Sequence, residues 1–519
     1  MSLRSWPTPL VVQQLLSRKP ILPQAKIAPR LVNALVITMF LLGCFLRLYF
    51  YGINRSLWID EAMLAHNIVN RSLLDLIKPL DYDQGTPIGF LFLQKAVVIL
   101  LGSWDYTLRL IPLLAGLASI PLMYSVSKQY SRGLAPFISL GLFAFSAKLI
   151  YYSSELKQYS SDVLATLLLL FMVSKCLEDK ASPNVLVALG ITGVLAIWIS
   201  HPALFVLVGI VLTLGLAKQR DSYRLLWLIG IGGVWGTNLI IVYLISLQHL
   251  ASNSYLLNFW KGSFAPLPPW SNFGWYYDAL VGMLMNPASL PINTITFGLL
   301  ILGIFSYAFR RWVLMPVLIT PFLLALVASA LGKYPFTGRF LLFALPLLLL
   351  LIAEGVERIR MALLRVNRPI AWLVSIFLGI YLLYTPIIGA YKNLQSPPMR
   401  EHIKPVMSYI SKSHLSYDLI YVYYGAKPAF EFYAPLYGFD RNDYISGVKA
   451  RNDPDKYVQD INAMKGNQRV WFVFSHNCSW CMVNEQSFFL ERLNEIGLKK
   501  DEFITDGASV YLYDLPQHS

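Results

Sequence analysis

The sequence predicts a mainly α protein, a polytopic bundle of about eleven transmembrane helices with a small α/β domain at its C-terminal end. Three observations lead there. Of 519 residues, 56% are hydrophobic and only 14% charged, and the mean hydropathy is +0.53, whereas roughly a quarter of a soluble domain is charged. Apolar runs of about twenty residues, enough to cross a hydrocarbon core about 30 Å thick, recur from Leu31 to Tyr391. From about Lys392 charges return, and short apolar strands such as Asp418 to Tyr424, Arg469 to Phe474 and Ala508 to Tyr513 alternate with helical stretches. Pro397, Pro398 and Pro405 mark the linker and the start of the first helix there.

The charge pattern orients the bundle. A formal charge of +14 could suggest nucleic acid, but the basic residues sit in short loops between apolar runs and form no continuous stripe, so positive-inside topology is the better reading and no nucleic-acid partner is expected. Residues 1–30 carry Arg4, Arg18, Lys19, Lys26 and Arg30 with no acid. The apolar run Leu31 to Tyr51 is too long for a signal-peptide core and reads as an uncleaved first span with a cytoplasmic N-terminus. The further cytoplasmic loops are then those of Lys128 and Arg132, of Lys175 and Lys180, of Lys218, Arg220 and Arg224, of Arg310 and Arg311, and of Arg358, Arg360, Arg365 and Arg368.

Spans fall near 31–51, 108–127, 133–152, 163–177, 184–200, 202–217, 225–246, 292–309, 312–331, 339–357 and 370–390. The external segments are then 52–107, the turns 153–162, 201 and 332–339, the long loop 247–291, and the tail. Domain boundaries are accordingly 1–30 (basic, cytoplasmic), 31–391 (transmembrane) and 392–519 (extracytoplasmic), in a bacterial plasma membrane. Ile88 to Gly102 is apolar but short and carries Gln94 and Lys95 mid-run; it reads as a juxtamembrane helix with Lys95 snorkelling.

Chemistry concentrates in the external segments. Ser56-Leu57-Trp58-Ile59-Asp60-Glu61-Ala62 places two adjacent carboxylates among apolar residues at a membrane face, where desolvation makes acids costly unless they act; helix capping is the structural alternative. Tyr151-Tyr152-Ser153-Ser154-Glu155-Leu156-Lys157-Gln158-Tyr159-Ser160-Ser161-Asp162 is far more polar than a turn needs. A helical segment would align Glu155, Tyr159 and Asp162 on one face with Lys157 to the side; a solvated hairpin is the alternative.

Tyr82-Asp83-Gln84-Gly85-Thr86-Pro87 forms a turn into the juxtamembrane helix, with Asp83 and Gln84 offering polar contacts. Lys333, Tyr334 and Arg339 lie at the outer end of a span, placed for a lipid phosphate or for interfacial anchoring. His201 before Pro202 suits a helix-end hydrogen bond or catalysis. Cys44 and Cys176 lie in or beside spans as small hydrophobes, while Cys478 and Cys481 fit a local disulfide, unpaired thiols or, with His476, a redox or metal site.

Trp58 to Asp162 resembles the first two external loops of the GT-C glycosyltransferases, polytopic enzymes that use polyprenyl-linked sugars. It is similar to the branch of protein O-mannosyltransferases and lipid A aminoarabinose transferases, through W-x-D-E-A, the Tyr152 to Asp162 stretch, Thr86-Pro87 before an amphipathic helix, and Arg109-Leu110-Ile111-Pro112 opening the next span. The likeness runs through Glu354 and fades in the C-terminal domain. It implies a hexosyl- or pentosyltransferase of cell-envelope glycan synthesis, with a polyprenyl-phosphate sugar donor and a glycan, lipid or protein acceptor.

By the same resemblance Asp60 is the catalytic base, Glu155, Lys157 and Asp162 shape the site, Arg339 contacts the donor phosphate, and the sugar carbon is inverted by direct displacement; Glu61 is expected with Asp60 in catalysis, and Asp83, Gln84, Arg109, Tyr159, His201 and Lys333 at the substrate. Aminoarabinose transferases have a lysine before the proline pair of the juxtamembrane turn; this chain reads Gln84-Gly85-Thr86-Pro87, so phosphate binding falls to other residues. Paired acids can bind a divalent metal, but the branch implies none. The rival reading is a transporter or flippase for lipid-linked saccharides, which calls for ionisable residues at mid-bilayer rather than at its outer edge.

Overall fold

The computed structural model describes residues 29–178, 182–217, 222–451, 453–476 and 484–516. Arg4, Arg18, Lys19, Lys26, Lys180, Lys218, Arg220, Cys478 and Cys481 lie outside them. The chain is a helical membrane protein with a small C-terminal sheet. Among the described residues seven helices are long and apolar enough to cross a membrane. Every run read as a span is helical: α1 (Pro29–Gly52), then, after α2 (Ile59–Asn70) and α3 (Ile88–Leu101), α4 (Asp105–Tyr130), α5 (Ala135–Phe145) with α6 (Ala147–Tyr152), α7 (Tyr159–Cys176), α8 (Pro183–Ile199), α9 (Ala203–Ala217), α10 (Ser222–Val242), α11 (Thr294–Arg310), α12 (Met315–Ala330), α13 (Leu345–Leu363) and α14 (Arg368–Gln395).

The bundle is built around α13. Its leucine run, Leu345 to Ile352, is buried on every face, as expected of a helix apolar all round. Glycines let backbones meet: a Cβ on Gly303 of α11 would overlap the Leu351 carbonyl, and one on Gly355 of α13 the Leu299 carbonyl. Close approach through small residues is how membrane helices gain packing where no hydrophobic force separates helix from lipid.

Two spans differ from the prediction. The run 133–152 breaks at Ser146, which leaves helical geometry (φ −59°, ψ 114°). Fully buried Arg47 of α1 satisfies the freed carbonyls, donating from Nη1 to Ala144 O (3.2 Å) and from Nη2 to Phe143 O (3.4 Å); a cation at a helix C-terminus also meets the dipole. The run 339–357 opens with tight 3₁₀ turns over Gly338–Ala344 before α13 begins. Both departures lie beside the polar external segments.

The C-terminal sheet has the order β2-β1-β3-β5-β4, from β1 (Leu419–Val422), β2 (Tyr444–Ser446), β3 (Val470–Ser475), β4 (Leu498–Thr505) and β5 (Ala508–Asp514). β1 runs parallel to β2 and β3; β5 is antiparallel to β3 and β4. Period-two alternation sends Tyr421, Tyr423, Phe472 and Phe474 to one face, against Tyr457, Phe489 and Leu493. Ile420, Val422, Trp471 and Val473 go to the other, against Ile403, Val406 and Ile410 of α15 (Ile403–Ser413). That second core also holds Leu57, Leu64, Ile68, Leu91 and Leu108, so the sheet and the first external segment share one hydrophobic core.

The juxtamembrane helix α3 forms as expected, but Lys95 does not snorkel. Its Nζ donates to Val69 O (2.9 Å) and so caps the end of α2, a favourable place for a cation. At the opposite end of the bundle the basic loops converge: Arg311 donates to Tyr130 O (2.6 Å), and Glu357 accepts from Leu134 N (2.9 Å) while pairing with Arg360.

Candidate functional site

Successive residues of a helix point about 100° apart, so the two acids that open α2 meet different surroundings. The first amide of the helix, Ile59 N, donates to Glu401 Oε2 (2.8 Å), so capping is done by an acid from the tail and not by Asp60. The Asp60 Oδ2 atom instead accepts from Arg339 Nη1 at 2.8 Å, and the two side chains are 23% and 20% exposed. The Arg339 guanidinium sits 5.6–5.8 Å from the rings of Trp58, Tyr159, Trp260 and Phe340, an aromatic collar that supports a cation while shielding it from water.

Lys157 completes this pocket, donating from Nζ to Gln84 Oε1 at 2.6 Å. Burial alone would raise the Asp60 carboxyl, but Lys157 and then Arg339 more than offset it and hold it below the usual carboxylate range. Burial lowers the Lys157 ammonium, with Asp60 opposing. The turn before Gln84 holds two successive non-glycine residues in left-handed conformation, Tyr82 (φ 62°) and Asp83 (φ 53°), strain of a kind that clusters at working sites.

Glu61, expected with Asp60 in catalysis, is bound into the fold on both oxygens. It is fully buried; Oε2 takes Arg109 Nη2 (2.6 Å), and Oε1 takes both Arg109 Nε (2.8 Å) and Leu156 N (2.7 Å). With both oxygens engaged it cannot reach a substrate. Arg109, expected at the substrate, continues this knot into Arg55 O (2.6 Å) and Ser56 O (3.2 Å). Burial pushes the Glu61 carboxyl up, and Arg109 outweighs it, leaving it low.

The remaining predicted residues divide. Glu155 is fully buried with Arg55 Nη2 3.9 Å away, and burial followed by the charge of Glu61 holds it above the usual carboxylate range. It precedes α7 in a turn, so the helical register expected for Glu155, Tyr159 and Asp162 starts only at Tyr159. Tyr159 joins the Arg339 collar. Asp162 is buried, and its Oδ1 atom has no hydrogen-bond partner among the described residues. Asp83 accepts from Asn253 Nδ2 (2.6 Å), and Lys333 donates to Ala251 O (2.9 Å); both tie the long external loop down and do not reach Asp60. His201 has its ring pushed down to about 4 by burial, and its Nε2 atom has no hydrogen-bond partner among the described residues. A small open cavity of about 30 Å³ lies beside Gln84, between Leu76–Leu91 and Ile245–Asn253.

Sequence reasoning missed the tail's contribution. Glu401, besides capping α2, accepts from or pairs with His476 Nδ1 (2.8 Å). Lys404 Nζ reaches Asp105 Oδ2 (2.7 Å) and Asn54 O (2.6 Å), and Tyr433 OH accepts from Leu57 N (2.8 Å). Arg400 lies over Trp58 (4.5 Å) and Tyr151 (5.1 Å). The available signal was the charged run Arg400-Glu401-His402 one residue after Pro397-Pro398. Among the described residues no group of three or more His, Cys, Asp or Glu side chains is placed to hold a metal ion.

No family model matches the sequence, and no curated protein matches it at a significant level. Solved structures do. ArnT from Cupriavidus metallidurans bound to undecaprenyl phosphate superposes over 94% of this chain and 98% of its own, with a TM-score of 0.51 and 12% identity. The chain has the GT-C fold. The oligosaccharyltransferase of Archaeoglobus fulgidus in complex with zinc and sulfate shares it over 93% of this chain and 73% of its own (TM-score 0.52, 12% identity). So does that enzyme tethered to an acceptor peptide, over 92% and 74% (TM-score 0.51, 11% identity). At such identities the likeness is one of fold, and the GT-C fold of this chain includes the C-terminal sheet.

Proposed function

We propose that the chain is a membrane glycosyltransferase that moves a sugar from a polyprenyl-phosphate-linked donor to an acceptor on the extracytoplasmic face, with Asp60 as general base. One observation carries the reading. A partly exposed carboxylate sits at the end of the bundle opposite the basic loops, held beside Arg339 and Lys157 where both an acceptor hydroxyl and a phosphate can be met. Two proteins with the same fold, one bound to undecaprenyl phosphate and one tethered to an acceptor peptide, support it.

In this reading the acceptor oxygen attacks the anomeric carbon from the side opposite the phosphate. The new C–O bond forms as the bond to the phosphate oxygen breaks, the acceptor proton passes to Asp60, and the electron pair leaves with the polyprenyl phosphate; the configuration inverts. A positioned base contributes roughly 10²–10⁴-fold, and fixed cations facing the departing phosphate stabilise charge as it develops. Arg339 has two tasks that exclude one another. While it pairs with Asp60 it weakens the base, and a bound donor phosphate competes for it, so donor binding raises the basicity of Asp60 when it is needed.

The test uses purified protein in vesicles with a panel of radiolabelled polyprenyl-phosphate hexoses and pentoses. The expected result is loss of label from one lipid and its appearance on an acceptor, in a wild-type reaction that the Asp60→Asn protein does not perform. Intact labelled lipid crossing the vesicle membrane without bond cleavage would instead make the chain a flippase.

A further inference from the structure

The charge inventory around Asp60 does not close. Glu61 is cancelled by Arg109, Asp105 by Lys404, and Glu155 faces Arg55. Asp60 then faces Lys157 and Arg339, while Glu155 is shared among Arg55, Arg339 and Arg400, so the cations outnumber the acids. Among the described residues no carboxylate lies within ion-pair distance of Arg400, whose side chain is exposed and sits 4.5 Å from the Trp58 ring and 5.1 Å from that of Tyr151. Arg339 approaches the same indole at 5.8 Å. Two guanidinium groups that repel one another are held around one ring, which is an arrangement that an anion between them would relieve.

The backbone beneath Arg400 is built to hold it there. Glu401 grips the start of α2, and Lys404 N donates to Ser56 Oγ (3.0 Å). On the far side His402 N donates to Asp506 O (2.8 Å), and Gly507, at φ +71°, lets the β4–β5 turn press on the Arg400 carbonyl where any Cβ would overlap it. The segment 400–404 is thus clamped between the first external segment and the sheet while its arginine head stays uncommitted.

We infer that Arg400 is a second phosphate-binding cation of the site, supplied by the segment leading into the α/β domain, and that with Arg339 it favours the leaving polyprenyl phosphate over the intact donor. The inference rests on the transferase reading. A sugar phosphodiester carries one negative charge; when its C–O bond breaks and the electron pair stays on oxygen, the product phosphate monoester carries two. A surplus of positive charge therefore binds the phosphate more tightly as the bond cleaves, which is the condition for accelerating the step and not merely for holding the substrate. It also makes the α/β domain part of the active centre.

Undecaprenyl phosphate itself is the probe, titrated against the full-length protein in nanodiscs at pH 5 and pH 8, on either side of a phosphate monoester's second ionisation near 6. Wild-type protein is expected to bind the dianion at least tenfold more tightly than the monoanion. Arg400→Gln should lose about tenfold at pH 8 and most of that preference, and Arg400→Lys should recover part of both, each variant unfolding at the wild-type temperature. Binding by Arg400→Gln within twofold of wild type at both pH values, with Asp60-dependent transfer intact, overturns this inference and leaves the transferase reading standing. Absence of any undecaprenyl phosphate binding by wild type, together with label transfer that ignores Asp60, overturns both.

Discussion

Asp60 and Glu61 are neighbours in sequence, yet the regions around them are built to opposite ends. Around Glu61 every charge is spent inward: both oxygens are bonded, the partner Arg109 is buried, and the backbone of 55–56 and 156 is tied to the same knot. Around Asp60 one oxygen meets one arginine, the exposure rises to 23%, and Lys157 adds a second cation. The first region fixes where the external segments lie; the second is left electrically incomplete, and an incomplete charge set is what a charged substrate can complete. Adjacent acids in one sequence motif thus differ in that one is fully engaged and buried and the other is left open to water.

Substitutions sharpen that contrast. The largest effect falls on the knot: Glu61→Ala strands Arg109 in the interior, and removing one partner of a buried pair costs about 3–5 kcal/mol. Thermal unfolding in detergent should drop steeply or the protein fail to accumulate, and an unchanged transition would show that the knot holds nothing. Arg339→Ala, in contrast, should leave unfolding near the wild-type value and lower kcat/KM by about 10²-fold, on the scale of removing one donor to developing charge. Gln84→Leu should cost about tenfold in kcat/KM and little in stability, because it releases Lys157 from a single net hydrogen bond of about 1–1.5 kcal/mol.

The smallest effect is a displacement of the pH profile. Asp60 acts as a base only when ionised, and its carboxyl lies below the usual range, so the acidic limb of kcat/KM should fall only as pH drops beneath that range. Removing Arg339 takes away a charge that lowers the carboxyl, so the limb should move toward higher pH by about one unit. A limb that stays put, or moves down, would separate Asp60 from the proton.

Much of this was legible because membranes constrain sequences severely. A span needs about twenty apolar residues, and every run identified that way is helical, one of them broken at Ser146 and another opening in 3₁₀ turns. Strongly polar residues at a membrane face are costly, which pointed to Asp60 and to the Glu155 segment. What the pattern could not carry was direction around a helix: only the tertiary partners separate Asp60 from Glu61. Strand β4 was missed because, at the sheet edge, Lys499, Lys500 and Glu502 face water and, with Asp501 between them, erase the apolar signal; β2 is three residues long at the other edge. Arg400 and Glu401 were invisible because their partners lie some 340 residues away in the chain, across a shared core that composition alone reads as two separate domains.

The central claim is that Asp60 takes the acceptor's proton. Its most direct test is single-turnover transfer from a bound, labelled donor by wild type and by Asp60→Asn with matched thermal unfolding. The account predicts a rate at least about 10³-fold lower for the variant at unchanged donor occupancy. A variant that transfers sugar within tenfold of wild type would contradict it.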